Sequence, residues 1–445
     1  MTIVSAETEQ NGRKPRAHPR AARIKPSAII AALLEDGWRF AFGGDDLYTY
    51  QHGVYVPGTR ALRKHLFERL GSQWEPAKVS AAIQGLKDIS PDLWLMPSQD
   101  YINLSNGLYN RKIGRLEPHT PDHLSQVQLP ISFDEAATCP GLTRFLEEVF
   151  PKDSSILAYE ILGYLATTDT WLKRAVFLKG LQHSGKSTFC QLIHCFLGDR
   201  NITAHSLQHL TSNRFGLAGL HGKLANVLPD LPPARVDDSS IFKMITGNDH
   251  MVTGENKYER PFQFWMFCRL VFSANEFLQS ADQTDAYLGR WLVLLFPNQF
   301  ALNRTFLETL ATPEELSGLF NLAMQAYRDV VVRGDFTNNE ATQQGTELLK
   351  ESLVPVIAFL KECCDVSNPK SRTNCTDLYQ AFCGWCSQTG RRRPSDRTFY
   401  AQMRQHFPQG TEVKTDGNRV WAHLTLNDEG EQALEYFRRR ERVGQ

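Results

Sequence analysis

The chain has 445 residues, of which 42% are hydrophobic and 22% are charged, a composition typical of a globular protein with several domains. This excludes a single small binding module and a globally disordered chain. Lys plus Arg and Asp plus Glu number 49 each, so a nucleic-acid site must be a local patch rather than the whole surface.

The N-terminus is polar and basic where a secretory signal would be apolar, and no segment has the roughly 20 apolar residues that cross a bilayer. We therefore expect no membrane contact, a cytoplasmic location, and nine cysteines that stay reduced. Residues 1–28 are predicted to be a disordered basic tail, either simply solvated or acting as a nucleic-acid-binding arm.

Two domains are predicted next. Residues 29–140 mix helical patterns with short β-like runs, and they contain no cluster of residues with an obvious chemical role. Residues 141–335 begin with a pair of amphipathic helices and continue with short apolar runs typical of strands buried on both faces of a parallel sheet. These runs are Ala175–Leu178, Leu224–Leu228, Leu270–Ala274 and Trp291–Phe296.

The first of these runs leads into a complete G-x-x-x-x-G-K-[ST] motif, followed by a helical pattern. Glycines in such a loop let backbone N–H groups face phosphate oxygens, Lys186 supplies a positive charge, and Ser187 can bind Mg²⁺. The predicted nucleotide-binding residues are Gly180, Leu181, Gln182, His183, Ser184, Gly185, Lys186, Ser187 and Thr188. The sequence therefore predicts an α/β P-loop ATPase core that uses ATP and Mg²⁺.

Three further residues follow later strands of the same domain. Asp230 comes after the second run and is the expected carboxylate for Mg²⁺ and its waters, although an acid after a strand is common. Asn275 follows the third run, where it either orients the attacking water or simply forms a turn. Arg290 precedes the fourth run and either stabilises transition-state charge or forms a surface ion pair.

The predicted C-terminal domain spans residues 350–445. Three short helical patterns are followed by two β-like runs around Asp416 and Gly417, a strong hairpin signal. Three helices and a hairpin describe a winged helix. Basic residues concentrate there, and Arg391, Arg397 and Lys414 are the predicted contacts to DNA phosphates, with a solvated charged face as the alternative.

These motifs, taken in order, resemble the helicase part of the phage and plasmid primase-helicases, a superfamily III group that includes the poxvirus primase-helicase. The resemblance covers residues 35–426. Besides the P-loop and Asp230 it rests on Lys257-Tyr258, Phe272-Ser-Ala-Asn275-Glu276 and Arg290-Trp291, in that order. Leu231 follows Asp230 where many members have a second acid, which leaves the water-activating base unassigned.

The resemblance implies an AAA+-like ATPase that assembles as a homo-hexameric ring and moves on single-stranded DNA. Lys186, Asp230 and Asn275 would act within one subunit, and Arg290 would reach the neighbour's ATP. Lys257 and Tyr258 would lie on a hairpin facing single-stranded DNA, and the winged helix could contact duplex origin DNA.

A primase domain is not expected, so a separate primase or polymerase would make primers in the bacterial host cytosol or nucleoid. Two other classes stay open. One is a nucleotide-gated, origin-binding initiator or scaffold without processive unwinding. The other is a P-loop NTPase that does not depend on DNA.

Overall fold

The computed structural model describes residues 24–443, apart from residues 152, 233, 248–250, 302, 304 and 416. Most of the predicted basic tail of residues 1–28 and Asp416 of the predicted hairpin turn therefore lie outside the described residues. The chain forms two compact units, one ending at Trp94 and including Thr120–Gln126, the other containing the rest. This division differs from the four predicted segments, whose boundaries stay predictions.

The smaller unit packs three helices with an antiparallel sheet of order β1-β2-β3. Its core includes four buried leucines, one from each helix and one from the central strand: Leu33, Leu47, Leu62 and Leu86. The predicted mixture of helices and short strands is present. The elements are α1 (Pro26–Glu35), β1 (Phe40–Gly43), β2 (Asp46–Gln51), β3 (Val54–Pro57), α2 (Thr59–Leu70) and α3 (Pro76–Ile89).

The larger unit begins with a three-stranded antiparallel sheet and the predicted helix pair. The second helix of that pair is buried along almost its whole length, because it packs along the long helix α11 and also contacts α4 and α6 (Lys186–Leu197). These elements are β4 (Tyr101–Leu104), β5 (Gly107–Asn110), β6 (Arg115–Glu117), α4 (Pro140–Val149), α5 (Ser155–Ala166) and α11 (Pro313–Arg333).

A five-stranded parallel sheet forms the centre of the larger unit, as the four apolar runs predicted, and it is consistent with a P-loop-like core. The strand order is β13-β7-β12-β9-β8, so the strand that precedes Asn275 lies between the P-loop strand and the strand that leads to Asp230. The strands are β7 (Ala175–Gly180), β8 (Ile202–Thr203), β9 (Ala225–Leu228), β12 (Arg269–Ala274) and β13 (Trp291–Phe296).

Helices and one antiparallel hairpin, β10 with β11, connect these strands, and two further helices, α10 and α12, follow the last strand. The hairpin pairs Met251 with Trp265 and Gly254 with Phe262, so the intervening residues form its tip. The elements are α6 (Lys186–Leu197), α7 (Leu207–Ser212), α8 (Ser240–Ile245), β10 (Met251–Gly254), β11 (Phe262–Trp265), α9 (Asp285–Leu288), α10 (Phe306–Leu310) and α12 (Glu340–Leu353).

The C-terminal part contains the three predicted helices and the predicted hairpin, together with one helix that the sequence patterns did not indicate, α16. This helix packs closely on α14, where a Cβ at Gly384 would lie 2.0 Å from the Ala433 carbonyl oxygen. The elements are α13 (Pro355–Cys363), β14 (Cys364–Asp365), β15 (Arg372–Asn374), α14 (Cys375–Gln388), α15 (Asp396–His406), β16 (Glu412–Thr415), β17 (Asn418–Ala422), β18 (Thr425–Leu426) and α16 (Asp428–Val443).

Among the described residues, no helix is long and apolar enough to cross a membrane. All nine cysteines are free thiols.

Candidate functional site

The G-x-x-x-x-G-K-S segment forms a tight turn between β7 and α6. Gly185 has a φ of 93° and His183 a φ of 59°, the left-handed region that glycine adopts without strain. A Cβ at Gly180 would lie 2.6 Å from the Phe296 carbonyl oxygen. These conformational and steric demands explain glycine at the two ends of the loop, and the turn places the loop at the N-terminus of α6, where anions bind well.

Lys186 is 7% exposed, and its ammonium group lies inside the curve of the loop. Nζ donates to the carbonyl oxygens of Gly180 at 2.8 Å and Leu181 at 2.6 Å, and to Asn275 Oδ1 at 3.0 Å. No carboxylate contacts Nζ among the described residues, and burial, followed by the nearby positive charge of Lys179, lowers the pKa of Lys186. The site therefore holds a buried positive charge that a phosphate group would neutralise.

A cavity of about 740 Å³ opens beside this lysine. Ser187 and Thr188 line it from the start of α6, Asp230 lines it from the segment after β9, and Asn275 lines it from the end of β12. The carboxyl ends of neighbouring parallel strands meet at one edge of a sheet, which brings these residues together although they are far apart in sequence. Asp230 and Ser187 are exposed to the cavity and are the oxygen ligands that suit Mg²⁺.

The aromatic end of the cavity was missed in the sequence. There α4 and the chain around α10 contribute mostly apolar and aromatic side chains. These residues are Phe145, Glu148, Val149, Phe300, Ala301, Asn303 and Phe306. The only available signal was the amphipathic pattern of α4, which predicts core packing just as well.

Segment 298–300 fixes that end of the cavity to the P-loop. The Phe300 backbone N–H donates to the His183 carbonyl at 2.8 Å, and the Gln299 side chain donates to the Gln182 carbonyl at 2.9 Å. The Asn298 side chain donates to the carbonyl of Glu148 on α4 at 2.8 Å. The loop and the aromatic end of the cavity are thus held in one hydrogen-bonded arrangement.

Arg290 lies at the opposite edge of the sheet from the P-loop. It immediately precedes β13, whose first residue pairs with Ala175, whereas the loop follows the other end of β7. Six strand residues separate the two edges, roughly 20 Å. Arg290 is half-buried, and its Nη1 donates to the Lys243 carbonyl and to Thr246 Oγ1. It does not contribute to the cavity of its own chain.

Lys257 and Tyr258 lie at the tip of the β10–β11 hairpin. Tyr258 is 93% exposed and has a φ of 68°, an uncommon conformation for a residue other than glycine. Lys257 Nζ lies 5.0 Å from the centre of the Tyr258 ring. The hairpin tip is attached at its first residue, because Glu255 accepts a hydrogen bond from Arg214 at 2.8 Å.

The three basic residues predicted in the C-terminal part differ in their surroundings. Arg397 on α15 and Lys414 on β16 are exposed and form no ion pair within the described part of the chain. Arg391 instead donates to the Glu351 carbonyl at 2.9 Å and lies 4.9 Å from the Trp385 ring, so its guanidinium is partly used in packing. No contact between these three residues is found within the described ranges.

Comparison with family models gives three matches along the chain. Residues 29–151 match the "D5 N terminal like" family, residues 178–290 match a family of unknown function, DUF5906, and residues 355–440 match the "Poxvirus D5 protein-like" family. The two D5 matches confirm the resemblance to the D5-like primase-helicases that was found in the sequence.

Solved structures are similar in fold at low identity, and no curated protein matches the chain significantly. Two apo A-form structures of the C-terminal region of NrS-1 each cover 90% of this chain. One has 11% identity, a TM-score of 0.50 and 100% coverage of its own length. The other has 10% identity, a TM-score of 0.48 and 99% coverage of its own length. At such identity the likeness concerns the fold alone.

Proposed function

We propose that this chain is an ATP-dependent DNA helicase that assembles as a homo-hexameric ring and translocates on single-stranded DNA during replication of a phage, plasmid or other mobile element. The D5-like family supports a role in replication. The observation that carries the ATPase assignment is the buried Lys186 ammonium, which contacts only neutral oxygens beside a cavity that also contains Asp230 and Asn275.

The phosphates of ATP would occupy the loop end of the cavity. Backbone N–H groups at the start of α6 would contact them, and Lys186 would exchange some of its carbonyl contacts for phosphate oxygens. Because its pKa is lowered by burial, the charged form of Lys186 gains most when an anion binds. Asn275, already hydrogen-bonded to Lys186, can orient the attacking water or contact the terminal phosphate.

The residues around the loop suit Mg²⁺. Ser187 and Asp230 would hold the ion, since a hydroxyl and a carboxylate line the same cavity. When bound, Mg²⁺ neutralises charge that develops on the phosphate oxygens. Asp230 also acts on Lys186, because its negative charge favours the charged form of that lysine.

The base of the nucleotide would occupy the aromatic end. Phe145 and Phe306 stand 5.6 Å apart between ring centres, and Asn303 supplies an amide at the same end. Apolar walls with few polar groups are the usual composition of a site for a flat heterocycle. The fixed segment 298–300 would keep the base end and the phosphate end at a constant separation.

Catalysis would need two neighbouring subunits. Arg290 is too far from the Lys186 of its own chain to act there, but an arginine at the opposite edge of the sheet can enter the cavity of an adjacent subunit in a ring. An arginine supplied in this way stabilises the charge of the transferring phosphoryl group.

DNA contacts are proposed at two surfaces. The exposed Tyr258 ring and Lys257 charge at the hairpin tip suit a single strand, which binds through base stacking and phosphate contacts. Arg397 and Lys414 are proposed to contact duplex DNA through a winged helix.

Strand displacement tests the proposal. A forked duplex with a single-stranded tail should be unwound only with ATP and Mg²⁺, and ATP hydrolysis should rise when single-stranded DNA is added. Duplex binding with hydrolysis but no displacement would instead identify an origin-binding initiator or scaffold. An ATP hydrolysis rate that DNA does not change would identify an NTPase that does not depend on DNA.

A further inference from the structure

Arg290 is held by one of its nitrogens. Nη1 donates to the Lys243 carbonyl at 3.1 Å and to Thr246 Oγ1 at 2.9 Å. Nε and Nη2 form no hydrogen bond to any residue that the structure describes. A guanidinium has five N–H donors in a fixed plane, so anchoring one nitrogen leaves the other edge free for a bidentate contact with an anion.

Thr246 is well placed to set the direction of that free edge. It is 6% exposed, and its hydroxyl donates to the Phe242 carbonyl at 2.7 Å while it accepts from Arg290. A hydroxyl whose proton is committed to a carbonyl presents its lone pairs to the arginine and has little freedom to rotate. The position of Arg290 is thereby tied to the last turn of α8.

The turn of α8 is itself fixed relative to the chain that leads into Arg290. Asp282, which precedes α9, forms an ion pair with Lys243 at 2.5 Å and accepts hydrogen bonds from Ser239 and Thr284. Asp282 thus connects the α8 region, which anchors Nη1, to the segment that leads into Arg290. Such a connection lowers the entropy cost of placing the guanidinium at a neighbouring site.

We propose that Thr246 is a positioning residue that orients Arg290, by its Nη1, so that the Nε and Nη2 edge faces the terminal phosphate of ATP in the adjacent subunit. The inference rests on the proposed ATP site shared between subunits. A simpler role is also compatible with these contacts, since a positive charge near the end of a helix stabilises that helix. The two roles differ in what loss of the Thr246 hydroxyl would change.

The test uses Thr246→Val, which keeps the side-chain shape and removes the hydroxyl. Loss of a hydrogen bond to a charged group should lower kcat for ATP hydrolysis about 10- to 100-fold. The KM for ATP should stay unchanged, because Thr246 does not line the nucleotide cavity. Thr246→Ser retains the hydroxyl and should restore kcat.

A matched control is available on α7. Thr211 is half-buried and its hydroxyl also donates to a carbonyl four residues earlier, Leu207, at 3.0 Å, with no arginine contact within the described residues. Thr211→Val should leave kcat near the wild-type value. If Thr246→Val lowers only the melting temperature and Thr211→Val does the same, Thr246 is structural and the inference is wrong.

Mixed rings, made by co-expression, give a readout that a structural role would not change. The reference is a mixture of Lys186→Ala and Arg290→Ala subunits. This mixture should regain hydrolysis at interfaces that combine an intact loop with an intact arginine. A mixture of Thr246→Val and Lys186→Ala subunits should regain activity. A mixture of Thr246→Val and Arg290→Ala subunits should not, because both substitutions would impair the arginine and leave the loop intact.

Each outcome decides a different claim. No recovery in the reference mixture overturns the shared site, and this inference with it. Recovery in the reference mixture, but also between Thr246→Val and Arg290→Ala, overturns the positioning role alone. If Thr246→Val does not fold, Thr246→Ala in the same mixtures decides by the same outcomes.

Discussion

The nucleotide cavity and the proposed DNA surfaces are built in opposite ways. Lys186 is buried and hydrogen-bonded to four different residues, whereas Tyr258 is 93% exposed and contacts its neighbour Lys257. A buried polar site must satisfy its groups from the surrounding chain, so each residue constrains the others. An exposed surface has no such requirement. Substitutions should therefore have large, specific effects in the cavity and small, graded effects on the DNA surfaces.

The largest effect is expected from Lys186→Ala. It removes the buried charge that would contact phosphate, so hydrolysis should fall to background while the chain stays folded. Lys223→Ala is the matched control, since Lys223 also donates to a carbonyl, that of Arg200 at 2.6 Å, away from the cavity. Steady-state hydrolysis and a melting curve measure both properties. A folded Lys186→Ala protein with wild-type turnover would remove the P-loop assignment.

Arg290→Ala should come next. An arginine supplied by a neighbour contributes about 10³ to 10⁵ in rate, so hydrolysis should fall by a comparable factor. ATP binding should persist, because Arg290 lies at the other edge of the sheet from the loop. Binding of a fluorescent ATP analogue, measured beside hydrolysis, separates the two effects. Equal loss of binding and hydrolysis would mean that Arg290 does not act across an interface.

Asp282→Asn tests the ion pair with Lys243, which connects α8 to the segment that leads into Arg290. Burial raises the pKa of Asp282, but hydrogen bonds from Lys243, Ser239 and Thr284 outweigh it and hold the pKa well below the ordinary value. The charged form is thus favoured in the folded state, and its contribution is fully present above the unfolded pKa near 4. The substitution should lower the free energy of unfolding by about 1.5 kcal/mol at neutral pH.

That deficit should shrink as the pH falls below about 4, because the wild-type carboxylate then also becomes protonated on unfolding. Urea unfolding at several pH values measures the difference between the two proteins. A deficit that is the same at pH 3 and pH 7 would exclude the ion pair as its cause.

The smallest effect is expected at the hairpin tip. Each phosphate contact to a single strand contributes about −0.7 to the slope of log affinity against log salt, so Lys257→Ala should make that slope shallower by about this amount. It should also weaken the coupling of hydrolysis to unwinding. The double substitution of Arg397 and Lys414 by Ala is the comparison, since it should weaken duplex binding and spare stimulation by single strands. Opposite results would mean that the two roles were assigned to the wrong surfaces.

The sequence predicted most of the parallel sheet because its strands are buried on both faces and their apolar runs have a clear length and spacing. It also located the loop, since the G-x-x-x-x-G-K-S pattern is local. Helix α16 was missed although it is long, because its Arg-rich and Glu-rich pattern leaves few apolar residues to mark a buried face.

The aromatic end of the cavity could not be predicted for a different reason. Phe145 and Phe306 are far apart in sequence, and each lies in a helix whose pattern indicates ordinary core packing. Only the three-dimensional arrangement brings them to one cavity. The same holds for Thr246. No motif includes it, and its proposed role rests on its hydrogen bond from Arg290.

Measuring the ATP hydrolysis rate together with the native mass, with and without single-stranded DNA, tests the central claim most directly. The account predicts a native mass six times that of the 50.5 kDa chain, and hydrolysis that rises when single-stranded DNA binds the same assembly. A monomer that hydrolyses ATP at one rate in both conditions would contradict a ring whose active sites are shared and coupled to DNA.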